Sequence, residues 1–210
     1  MVAKPSRKRA TYQDVLDAPE HIVAEVLDGE LHLMPRPRPR HARNASALGA
    51  FLVGAFDFGL NGPGGWTIID EPELHLGSEP DIVVPDIAGW REGRLVEDEK
   101  AFITIVPDWV CEVLSPGTRR VDRMKKMPIF AREKVGHVWL ADPEARTIEV
   151  FRHSKDGYTL LATVGGDDAI RAEPFDALEI PSAFVWGRSP LPAPTGSAPT
   201  AARSKKKERR

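Results

Sequence analysis

The stretch D-W-V-C-E-V-L at 108–114 constrains this chain more than any other. Trp109, Val110, Cys111, Val113 and Leu114 leave no polar face, so the strand they predict is covered on both sides by other layers. Side chains alternate along a strand, so Val110, Glu112 and Leu114 share one face and Cys111 and Val113 the other. Glu112 is thereby carried into apolar surroundings. A buried carboxylate without a partner is strongly destabilising, so the sequence must also supply that partner.

The neighbouring segments predict a layered α/β or α+β fold with a mixed sheet. Thr11 caps a short helix to Leu16, and I-V-A-E-V-L-D-G-E-L-H-L-M at 22–34 carries the D-G pair of a tight hairpin. P-R-P-R-P-R at 35–40 predicts an extended arm, followed by an amphipathic helix over 41–58 with Ala45, Leu48, Leu52, Ala55 and Phe56 on its apolar side. Strands are expected in W-T-I-I-D-E-P-E-L-H-L and D-I-V-V-P-D-I-A-G-W. A helix follows over 121–135, interrupted at Pro128, with Val121, Met124, Pro128, Ala131 and Val135 as its stripe. H-V-W-L-A-D-P and T-I-E-V-F-R then form a hairpin, and Y-T-L-L-A-T-V and A-L-E-I extend the sheet. The five tryptophans, scattered through these strands, read as core or interface residues.

Charge divides the chain into three parts. The first nine residues carry +4 and residues 187–210 carry +6, so the formal net charge of −2 leaves −12 for residues 10–186. The expected organisation is a basic flexible N-terminus over 1–10, one folded domain over 11–186 and a disordered basic tail over 187–210, rich in Pro, Ser, Ala and Thr. That tail is either an electrostatic tether to nucleic acid or a solubilising end without a specific role. No apolar run approaches the roughly 20 residues of a membrane span, and the N-terminus lacks a secretory apolar segment, so a cytoplasmic protein is expected. The single Cys111 excludes an intrachain disulfide and reads as a small core residue.

Asp86 ends the apolar run I-V-V-P-D, and if its strand adjoins that of Glu112 the two carboxylates converge. Two close anions need a cation between them, and Mg²⁺ or Mn²⁺, with two or three carboxylates plus water and phosphate, is the economical choice. Asp122 and Lys126 stand at i, i+4 on the next helix. Spacing alone reads them as a solvated surface pair worth about 0.3–0.5 kcal/mol, although a lysine facing the metal site would position water or offset phosphate charge.

The pieces T-Y-Q-D, A-E-V-L-D-G-E-L, P-R-H, V-V-P-D, C-E-V-L-S-P-G-T-R-R, D-R-M-K-K-M-P-I-F-A and H-V-W-L-A-D-P, in this order over about residues 11–152, resemble the Uma family of restriction-endonuclease-like proteins within the PD-(D/E)XK nuclease superfamily. The resemblance implies a restriction-endonuclease-like core, a mixed sheet flanked by helices with additional hairpins. It implies Asp86 and Glu112 as metal ligands and Glu25 as a further ligand or water-holding acid. Leu114 stands where the superfamily has its lysine, two residues after the glutamate, and Lys126 on the next helix takes that role. Phe130 stands where a tyrosine is common, which suggests packing at that position.

The function expected from these readings is Mg²⁺-dependent endonuclease cleavage of DNA by a homodimer, with Asp86, Glu112 and Lys126 as catalytic residues. Arg36, Arg38, Arg40, Arg119, Arg120 and Arg123 are the expected nucleic-acid contacts, since the planar guanidinium suits phosphate. His41 begins a helix and reads as a capping or exposed histidine rather than a phosphate contact. Glu25, at a strand edge beside the D-G turn, reads alternatively as solvated, Asp86 as a turn initiator, and Glu112 as a structural acid paired with Arg119 or Arg120. The alternatives for the whole chain are a catalytically inactive, dimeric binding module with this fold and a hydrolase of another phosphorylated substrate.

Overall fold

A computed structural model describes residues 8–95 and 100–186. The expected tail at 187–210 and most of the expected basic N-terminus lie outside the described residues. Helix α1 (Tyr12–Leu16) begins with the Asp14 carboxylate accepting bonds from the Thr11 N–H at 2.7 Å and hydroxyl at 2.8 Å. Strands β1 (Ile22–Leu27) and β2 (Glu30–Pro35) form the anticipated hairpin; Asp28 at φ 52° and Gly29 at φ 76° supply the left-handed pair that such a two-residue turn requires.

The arginine-proline arm is shorter than its sequence suggests. Strand β2 runs through Pro35 and helix α2 (Pro39–Leu52) starts with Pro39 in its first turn, where the missing N–H costs nothing. One π turn (Val53–Asp57) continues α2.

Strands β3 (Trp66–Asp70), β4 (Leu74–Leu76), β5 (Asp81–Val83) and β6 (Ile87–Arg91) do not lie in one sheet. A four-stranded sheet has the order β2-β1-β5-β4. A six-stranded sheet has the order β10-β9-β8-β7-β6-β3, with β7 (Trp109–Val113), β8 (His137–Asp142), β9 (Thr147–Ser154) and β10 (Gly157–Gly165). The run D-I-V-V-P-D-I-A-G-W therefore crosses from one sheet to the other at Val84, Pro85 and Asp86. Pro85 cannot donate to a ladder, which makes it a natural point of departure. A-L-E-I adds no strand to either sheet; Ile180 forms an isolated bridge with Ile170.

Within the six-stranded sheet β7 and β8 are parallel and their neighbours antiparallel. A parallel pair needs a long crossover. Here it is α3 (Arg119–Val121), a π turn (Asp122–Lys126) and α4 (Met127–Arg132). The interruption expected at Pro128 is present, but the stripe differs: Met124 and Pro128 are exposed, whereas Asp122, Lys126, Ile129 and Phe130 are buried. The wider π turn shifts the phase of the faces that a regular 3.6-residue repeat predicts.

The alternation along β7 is as expected. Trp109, Cys111 and Val113 join a core with α2, in which Phe175 packs its ring against Trp66, Trp109 and Trp139 at centroid distances of 4.8, 4.9 and 5.6 Å. Val110 and Leu114 join a second core with Leu27, Val83, Ile129 and Phe130, where the small sheet and α4 cover the large one. Glu112 faces that second side. Helix α5 (Ser182–Trp186) closes the described chain against α2, where the Asn44 amide donates to the Val185 carbonyl.

Candidate active site

Four elements deliver charged side chains to one place. Strand β7 carries Glu112, the chain between β5 and β6 carries Asp86, β1 carries Glu25, and the crossover's π turn carries Asp122 and Lys126. Ile87, paired with Cys111, is the last residue of that ladder, and Asp86 just before it stands at the end of β7 that carries Glu112. The site lies at the carboxyl end of β7, the usual place for sites where a parallel strand hands over to its crossover.

Lys126 is the centre of this cluster and is 3% exposed. Its ammonium lies 3.0 Å from Glu25 Oε1, 3.2 Å from Glu112 Oε1 and 3.9 Å from Asp122 Oδ1, and donates to the Val84 carbonyl at 3.0 Å. Glu25 Oε1 also accepts the Val84 N–H at 2.7 Å, which ties β1 to the crossing point between the sheets. Asp86 Oδ2 accepts the Val113 N–H at 2.6 Å and lies 3.3 Å from His41 Nε2. The partner that Glu112 requires is thus Lys126, and the partner of Asp86 is His41.

Burial pushes the Lys126 ammonium pKa down, but Glu112, Glu25, Asp122 and Asp86 together outweigh it and hold lysine charged well above its ordinary range. Burial drives the Glu112 carboxyl well up, opposed by Lys126 and reinforced by Asp122, Asp86 and Glu25. Asp122 is pushed up to about 6 by burial, against the pull of Lys126 and a bond from Thr118. For His41 burial acts downward, but Asp86 and the Val113 backbone dominate and raise it. Four carboxylates face one lysine and one histidine, so the cluster holds excess negative charge or retains protons in place of a cation.

Three single-residue expectations change here. Glu25 is fully buried rather than solvated, because the small sheet stacks it under Lys126. The Asp122–Lys126 pair is buried rather than on a wet face, because the crossover packs against β7. His41 is 8% exposed and contacts Asp86 rather than capping a helix in solvent. Its place in the P-R-H segment was the one sequence signal for it.

The arginines are more engaged than their number suggests. Arg119 pairs with Asp142 at 2.9 Å and Glu144 at 3.3 Å, and Arg123 with Glu149 at 2.5 Å. Arg36 donates to the Glu20 carbonyl at 3.1 Å and Arg40 to the Pro143 carbonyl. Arg38 and Arg120 are exposed. Glu112 pairs with neither Arg119 nor Arg120 among the described residues.

A cavity of about 550 Å³ opens onto the cluster, with His41, Asp86, Glu112, Asp122 and Lys126 in its wall. Glu25 Oε2 and Asp122 Oδ2 are buried oxygens without a hydrogen-bond donor, and Glu112 Oε1 has the Lys126 ammonium as an ion-pair partner but no hydrogen bond. Such oxygens suit a hard divalent cation. Among the described residues no three acid, histidine or cysteine side chains close around a single point, so an ion here would take Asp86 and Glu112 and complete its shell with water and phosphate oxygen. No helix among the described residues is long and apolar enough to cross a membrane.

A protein-family model described as "Putative restriction endonuclease" matches residues 10–183. The chain is also similar to the crystal structure of a "putative nuclease belonging to DUF820" from Anabaena variabilis, with a TM-score of 0.68 and 21% identity over 85% of this chain and 98% of that one. At that identity the likeness establishes the fold. No curated protein matches the chain. The family match covers most of the 210 residues, and the chain belongs to the Uma2 family of restriction-endonuclease-like proteins.

Proposed function

We propose that this protein is a metal-dependent endonuclease that hydrolyses phosphodiester bonds of DNA. The observation that carries the reading is the floor of the cavity: Asp86, Glu112 and Asp122 line one space, with a buried Asp122 oxygen lacking a donor and a charged lysine among them. Asp86 and Glu112 would hold Mg²⁺ or Mn²⁺, and Glu25, with its donor-free Oε2, is the further acid that would hold one of the ion's waters. A divalent ion bound there polarises the phosphate and makes its water a better nucleophile. Lys126, kept charged by its carboxylates, orients that water and offsets charge on the phosphoryl oxygens. Val113 N–H and His41 fix the Asp86 carboxylate in place. In the reaction a water oxygen bonds to phosphorus as a P–O ester bond breaks, and the water's proton replaces phosphorus on the leaving oxygen by way of solvent. A cytoplasmic homodimer with one site per chain belongs to the same reading. Arg38 and Arg120, both exposed, would contact phosphate directly, with Arg36, Arg40, Arg119 and Arg123 exchanging their present partners for phosphate.

A second reading, a non-catalytic binding module, draws support from the same lysine. Its ammonium is within 3.2 Å of two carboxylates and must be shared with them to act on substrate. Calorimetric titration with Mn²⁺ separates the two. Wild type is expected to bind, and Asp86→Ala to lose at least the roughly 10–100-fold in affinity that even outer-shell partners cost. Supercoiled plasmid and single-stranded circular DNA are then incubated with Mn²⁺. No cut in either, by protein that binds the metal, leaves the binding module.

A further inference from the structure

The acidic floor occupies one end of the cavity. The other end is a chamber between α1, the loop after it and the first hairpin, walled by Val15, Leu16, Ala18, Pro19, Ile22 and Met34. Hydrolysis at the floor makes no use of it. The bond from Arg36 to the Glu20 carbonyl ties the arginine-proline arm to this loop, and together they edge a chamber that stays partly open to solvent, with Leu16 58% exposed. Floor and chamber are one continuous space of about 550 Å³, within the roughly 300–1,000 Å³ of sites that enclose a small molecule.

Resting on the reading above, we propose that the substrate is an unpaired strand: one phosphodiester lies at the floor while its attached base is held in the apolar chamber. In a duplex the bases are stacked inward and the chamber faces only backbone, so filling it requires extruding a nucleotide, at a cost of a few kcal/mol that a single strand does not bear. Charge points the same way. Duplex DNA presents one negative charge per roughly 1.7 Å and is held by ranks of free cations. Here residues 10–186 carry −12, Arg119 and Arg123 are occupied by their own acids, and Glu20, Glu71 and Glu73 stand in the cavity wall. Arg36 and Arg38 in the same wall offset part of that charge, so the wall suits the few phosphates of one strand rather than the paired backbones of a duplex. No Phe, Tyr or Trp lines the cavity, so the base is sandwiched by aliphatic surface, which discriminates little between bases.

The test compares cleavage by the full chain in Mn²⁺ of a short single-stranded oligonucleotide with the same sequence as a blunt duplex. The single strand should be cut at least about tenfold faster, a difference of about 1.4 kcal/mol. Ala18→Trp, which fills the chamber from a half-exposed loop, and Met34→Asp, which puts charge into it, should each slow single-strand cutting while the heat of Mn²⁺ binding is unchanged. Equal or faster cutting of the duplex overturns the substrate assignment and leaves the nuclease reading standing. Undiminished single-strand cutting by both variants does the same. If neither substrate is cut by protein that binds Mn²⁺, the nuclease reading itself fails and the assignment falls with it.

Discussion

Lys126 is shared by Glu25, Glu112 and Asp122, so taking away its charge strands several buried acids at once. Lys126→Met should therefore destabilise the fold by about 3–5 kcal/mol at neutral pH, measured by urea denaturation, with part of the loss recovered in acid as the carboxyls take up protons. Asp122 behaves in the opposite sense. Its carboxyl is held at about 6 against an ordinary 3.8, so the folded state binds this proton more tightly than the unfolded chain does. The stability that this group contributes is complete below 3.8 and is lost as pH rises through about 6. The loss amounts to about 3 kcal/mol. Asp122→Asn should flatten the stability profile over that window and leave the metal-free protein more stable than wild type at neutral pH. An unchanged profile would mean that Asp122 is not buried as described.

Elements matter here because the site is assembled across two sheets. Arg132 on α4 reaches the small sheet, pairing with Asp28 at 3.1 Å and with the buried Asp81, which also accepts the Asp28 N–H at 2.7 Å. Arg132→Ala leaves Asp81 with a weaker cation, Arg9 at 3.7 Å, and should cost about 1–3 kcal/mol. Hydrogen exchange should quicken in β1 and β5 while β7 and β8 stay protected. Uniform quickening would show that the sheets open together. The hairpin around Asp28 and Gly29, the helix after the arm and the interruption at Pro128 were legible because each depends on a few neighbouring residues. The split of D-I-V-V-P-D-I-A-G-W between two sheets was not, since strand pairing is settled by partners far away in the chain.

At the scale of the molecule the charges are segregated, with −12 over residues 10–186 and +6 over residues 187–210. If the basic tail tethers DNA, its deletion should leave the thermal midpoint unchanged and weaken nonspecific DNA binding most at low salt, since each phosphate neutralised contributes roughly 0.7–0.9 to the slope of log affinity against log salt. An identical salt slope with and without the tail, read by fluorescence anisotropy, would assign it no part in binding.

The alternating pattern of β7 by itself determined that Glu112 enters the interior and that Cys111 packs in a core, because the side-chain period of a strand is a local property. What stands beside Glu112 was decided only by tertiary structure. Crossing the chain between sheets at Pro85 and packing the π turn of the crossover against β7 and β1 depend on segments far apart in the chain. They convert Glu25, His41 and Asp122 from apparent surface residues into the buried surroundings of Lys126 and Asp86.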